Sequence, residues 1–100
     1  MRYALLALCL LGGVVHADDV TVKIENFTFN PANVTIKSGD KVTWVNGDDI
    51  PHSVVEKNGA FKSKPLDTND QFSMVFKDAG TVDYFCGFHA HMTGKIVVAP

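Results

Sequence analysis

An all-β fold is predicted by three observations: short runs that alternate apolar and polar residues, turn-forming residues between them, and no helical periodicity long enough to compete. Val20-Thr21-Val22-Lys23-Ile24-Glu25 alternates as a strand with one buried face does, and Phe27 and Phe29 extend the pattern past Asn26 until Asn30-Pro31 breaks it. Val34-Thr35-Ile36 alternates again, and Ser38-Gly39-Asp40 turns the chain. Val42-Thr43-Trp44-Val45-Asn46 follows as a strand that places Trp44 in the core, and Gly47-Asp48-Asp49 closes it. Residues 52–56 and 71–76 are the next strands. The stretch between them, rich in Lys, Gly and Asn and holding Pro65, reads as surface loop with room for a helical turn. Residues 81–86 and the Val-rich run 94–98 complete a set of seven to eight short strands, which argues for a β-sandwich.

A chain of 100 residues, 46% hydrophobic and 10% aromatic, builds one core and hardly two. Its first residues stand apart from that core. Arg2 supplies a positive start, residues 4–15 carry no charge, and Val15-His16-Ala17 resembles an A-x-A cleavage site. A membrane-spanning helix requires roughly 20 apolar residues, and here Asp18-Asp19 follows too soon. Residues 1–17 therefore read as a signal peptide and residues 18–100 as a single domain, exported across the inner membrane to the periplasm.

Residues 18–100 hold eight lysines, no arginine and eleven acidic side chains, a composition that excludes a nucleic-acid partner. They also hold a single cysteine, Cys86, in a compartment where cysteines usually pair. Four readings are open for it: an inert buried thiol, an intermolecular disulfide, a nucleophile or a metal ligand.

Spacing favours the last. In Tyr84-Phe85-Cys86-Gly87-Phe88-His89-Ala90-His91-Met92-Thr93-Gly94 a thiol, two imidazoles and a thioether fall between two strands, where a loop can point them inward together. A mixed Cys, His and Met set suits copper better than magnesium, calcium or manganese. Ile50-Pro51-His52-Ser53 supplies the only other histidine of residues 18–100, and a sandwich can close the 34 residues between His52 and Cys86. His91 is expected to face solvent, because a residue beside Met92 tends to point away from it. Zinc is a second metal that Cys and two His would accept.

With these residues in view, the chain resembles the cupredoxins, the type 1 blue-copper proteins, and among them the amicyanin- and plastocyanin-like members. The resemblance rests on Pro51-His52, on Tyr84-x-Cys86-x-x-His89-x-x-Met92-x-Gly94, and on Phe29-x-Pro31-x-x-Val34-x-Ile36-x-x-Gly39-Asp40-x-Val42-x-Trp44-x-Asn46. It implies a Greek-key β-sandwich with one copper ion near one end, His52, Cys86 and His89 in a near-trigonal plane, and Met92 as a weak axial ligand. Two positions depart from the family pattern. Ser53 stands where Asn is common, and Phe88 stands where amicyanin-like chains place Pro, which adds an N–H within reach of the Cys86 sulfur.

The resemblance also implies a monomeric electron carrier. His89 would be the port, and a redox protein would dock on the patch of Ile50, Pro51, Phe88 and Ala90. No general base, acid or phosphate loop accompanies the cluster, so a carrier is expected and not an enzyme. A copper-binding protein for resistance or delivery is the alternative, with Cys86 as a catalytic nucleophile the least supported reading.

Overall fold

A computed structural model describes residues 17–100, so the expected signal peptide lies outside the described residues but for Ala17. The described chain forms eight strands: β1 (Asp19–Glu25), β2 (Thr28–Asn30), β3 (Asn33–Lys37), β4 (Lys41–Asn46), β5 (Val55–Glu56), β6 (Gln71–Val75), β7 (Gly80–Cys86) and β8 (His89–Ala99). Two four-stranded sheets result, in the orders β2-β1-β4-β6 and β3-β8-β7-β5. They form the expected Greek-key sandwich. Among the described residues no helix is long and apolar enough to cross a membrane.

Alternation sorts the side chains. On β3, Val34 and Ile36 point inward while Asn33, Thr35 and Lys37 face water; on β8, Met92, Gly94, Ile96 and Val98 are the buried set. β1 runs parallel to β4, pairing Val22 with Trp44, and β3 runs parallel to β8, pairing Val34 with Ile96. Trp44 is completely buried and meets Phe61, Phe72, Phe76 and Tyr84 with ring centroids 5.3–6.5 Å apart. Removing so large a core ring would cost about 3–5 kcal/mol. Tyr84 lies opposite Gly94, where a Cβ would fall on the tyrosine ring. Glycine is therefore required there for close approach.

The strands differ from the sequence reading in four places. Asn26 does not carry β1 onward: Asn26 and Phe27 both have positive φ, 52° and 58°, and form a two-residue turn that pairs Ile24 with Phe29. Residues 52–54 lie outside β5, because His52 pairs instead with Leu66 through N–H to O bonds of 3.1 and 2.7 Å. The segment 57–70 holds no helical turn, and Leu66 within it is a buried core residue. Finally, β8 begins at His89 and not at Gly94, since Cys86 pairs with His89 across a two-residue turn. Residues 90–92 then have no partner on β7 before pairing resumes at Thr93 with Phe85.

Candidate metal centre

Three connections meet at one end of the sandwich: the β1–β2 turn, the segment after β4, and the β7–β8 turn. β1 and β4 run side by side to this end, and Phe27, His52 and His89 touch there. The pairing of Cys86 with His89 sets the ring and the thiol on neighbouring positions of one hairpin. The bridge to Leu66 fixes His52 against them from a different element.

One ring nitrogen from each histidine and the Cys86 sulfur all lie within 4.8 Å of one another. His52 Nδ1 is 3.5 Å from Cys86 Sγ, and His89 Nδ1 is 3.7 Å from it. Bonds of about 2.3 Å to sulfur and about 2.0 Å to nitrogen, set about 120° apart, would separate the two donors by about 3.7 Å. Both sulfur-to-nitrogen separations therefore match those around one ion. Cys86 and His52 are fully buried, and His89 is half-buried.

Each donor is held by a neighbour. The Ser53 N–H donates to Cys86 Sγ at 3.5 Å, and the Gly87 N–H donates to Ser53 Oγ at 2.9 Å. His52 Nε2 lies 2.8 Å from Asp48 Oδ2. A carboxylate only accepts, so Nε2 carries a hydrogen, and Nδ1, which faces Cys86, is the nitrogen that can ligate an ion. Burial by itself would raise the Asp48 pKa. Hydrogen bonds from the Phe27 and Asn26 N–H groups and from His52 outweigh it and hold the carboxyl below its ordinary range.

Met92 is buried on β8, three residues after His89 and within the unpaired stretch. His91 is exposed and takes no part in the cluster found among the described residues. The sulfur-directed N–H expected of Phe88 is supplied instead by Ser53; among the described residues no such bond comes from Phe88. The patch residues Pro51, Phe88 and Ala90 are exposed and Ile50 is half-buried.

The family model for copper binding proteins of the plastocyanin/azurin family matches residues 16–99. The chain belongs to this family. It is 40% identical over 89 residues to amicyanin of Paracoccus versutus, covering 84% of this chain and 67% of the relative. It is 38% identical over 97 residues to plastocyanin of Scenedesmus fuscus, covering 80% of this chain and 99% of that one. Among solved structures, a purple cupredoxin from Nitrosopumilus maritimus superposes with a TM-score of 0.75 at 34% identity, covering 81% of this chain and all of the other. An oxidised amicyanin variant superposes at 0.76 with 32% identity, covering 79% and 80%.

Two residues of this cupredoxin's site escape sequence reasoning. By sequence Asp48 is only part of a strand-closing turn, and Phe27 only the continuation of a strand. The available signal was the Asn before Phe27, a residue that favours left-handed turns, and a carboxylate four positions before His52.

Proposed function

We propose that this cupredoxin is an exported one-electron carrier whose single copper ion is held by His52, Cys86 and His89, with Met92 as the axial ligand. The observation that carries this reading is the convergence of one nitrogen of His52, Cys86 Sγ and one nitrogen of His89 within 4.8 Å of one another, with His52 and Cys86 fully buried. Bound copper supplies the one-electron couple. The chain supplies donors that need not move: Asp48 and Leu66 pin His52, and Ser53 pins Cys86. Full burial of Cys86 supports a carrier over an enzyme using this thiol as nucleophile, because no substrate carbon can reach it. The exposure of His91, outside the cluster, supports a carrier over a copper-delivery role that would recruit an extra ligand.

His89 is the electron port in this reading. Ile50, Pro51, Phe88 and Ala90 form the docking patch for a redox partner, and Phe27, 52% exposed against the His89 ring, extends it. A small apolar face suits a brief encounter of a monomeric carrier. Export to the periplasm is supported by the charge-free run after Arg2 and its cleavage-like end at Ala17.

A visible spectrum with metal analysis tests the reading. We expect one copper per chain and a strong thiolate-to-copper band that bleaches reversibly on reduction and is lost in Cys86→Ser. A colourless oxidised protein, or a band that survives this substitution, would overturn it.

A further inference from the structure

We propose that Asp48 is the positioning residue of this centre, a single carboxylate that fixes both the His52 ring and the Asn26–Phe27 turn whose aromatic ring covers the two histidines. The inference rests on the carrier reading above for its metal, but its geometry stands without one.

Asp48 Oδ1 accepts the Asn26 N–H at 2.7 Å, and Oδ2 accepts both the Phe27 N–H at 3.0 Å and the His52 Nε2–H at 2.8 Å. With Nε2 so held, Nδ1 faces Cys86 Sγ at 3.5 Å. The carboxylate is itself held from both sides of its backbone: the Asp48 N–H donates to Asn46 Oδ1 at 2.9 Å, and its carbonyl accepts the Thr68 hydroxyl at 2.6 Å. Asn46, fully buried, is fixed in turn by bonds to the Ile50 and Leu66 carbonyls.

Phe27 is the second observation. A bulky residue with positive φ is a backbone outlier, and such strain persists only where its surroundings impose it. Here the Asp48 carboxylate imposes it. The turn sets the Phe27 ring edge-on to His52 at 5.6 Å and to His89 at 5.2 Å, with interplanar angles of 89° and 85°. His52 is fully buried under this ring although it sits at the end of the sandwich. A face that meets a partner through Phe27 is thus one shared oxygen away from the buried histidine.

Four variants of the full chain test the inference: Asp48→Ala, Asp48→Asn, Phe27→Ala, and Asp49→Asn as a control that removes an adjacent exposed charge. In the metal-free protein, NMR hydrogen exchange at the Asn26 and Phe27 amides should be at least tenfold faster in Asp48→Ala, and the His52 Nε2–H resonance should be lost. Phe27→Ala should leave the Asn26 amide protected while speeding exchange of His52 Nε2–H. In the copper-loaded protein, a neutral partner makes His52 a weaker donor to copper(II). The ratio of copper(II) to copper(I) affinity should fall about tenfold in Asp48→Ala, which raises the potential by about 59 mV. Asp48→Asn should shift it the same way by less, and it carries the same readouts if Asp48→Ala does not fold. Unchanged exchange in the Asp48 variants, or an equal potential shift in Asp49→Asn, overturns the inference. Because the exchange measurement needs no metal, failure to bind copper would end the carrier reading and leave this test intact.

Discussion

Ser53 and Cys86 are joined across 33 residues of chain by a backbone N–H donated to sulfur at 3.5 Å, and the Ser53 hydroxyl closes the same link by accepting the Gly87 N–H at 2.9 Å. A shorter side chain than the Asn common in the family thus ties the two ligand-bearing segments together. Ser53→Ala should cost about 1 kcal/mol, the worth of an ordinary hydrogen bond. Gly87→Ala should cost more, about 1–3 kcal/mol, because its Cβ would lie 2.6 Å from Ser53 Oγ. Deleting that hydroxyl leaves Val55 Cγ2, at 3.3 Å, as the nearest atom. Urea unfolding of the single and double variants should therefore show Ser53→Ala rescuing part of the Gly87→Ala loss. Simple additivity would contradict the contact.

Met92→Gln tests the axial position. An oxygen donor is harder than a thioether and favours copper(II). A tenfold change in relative affinity moves a one-electron potential by about 59 mV, and we expect a fall of that order with copper still bound. Voltammetry showing an unchanged potential would remove Met92 from the ligand set.

Tyr84 makes the protein sensitive to alkali. Burial pushes its hydroxyl up to about 12, against a smaller opposing pull from the nearby Trp44 N–H, and among the described residues neither group has a partner at hydrogen-bond geometry. The folded pKa lies above the unfolded value near 10, so the contribution is intact below pH 10 and is lost as pH rises toward 12. Tyr84→Phe should flatten that decline. At neutral pH it should leave stability within about 1 kcal/mol of the parent, since no hydrogen bond is lost.

Asp40 does the reverse in acid. N–H groups of Lys37 and Asp18 donate to its carboxylate, each at 2.9 Å, and hold it below its ordinary value of 3.8. Its contribution is present above that value and disappears as pH falls through the lower folded pKa. Unfolding of the metal-free protein measured from pH 5 downward should lose less stability in Asp40→Asn than in the parent. Equal slopes would mean that these two bonds do not depend on the charge.

Much of this was legible in the residues. Val34-Thr35-Ile36 shows its buried face by period alone, and the ligand-rich segment from Cys86 to Met92 is local in sequence, so its chemistry can be read without a fold. What was not legible is non-local or breaks a local rule. Leu66 looks like a loop residue until His52 pairs with it. Phe27 occupies a turn position that favours glycine, so the alternation of β1 seems to run through it. The role of Asp48 depends on two turns meeting, which no spacing within one segment encodes.

The unpaired residues 90–92 separate two kinds of constraint along β8. Beyond them, from Thr93 to Val98, one inserted residue would turn the strand inside out, carrying Ile96 and Val98 into solvent. Within them, an inserted residue meets no ladder and would be taken up as slack, while Thr93 stays opposite Phe85. The distance along the chain from His89 to Met92 can therefore drift, and with it the donor set, on a frame that does not register the change.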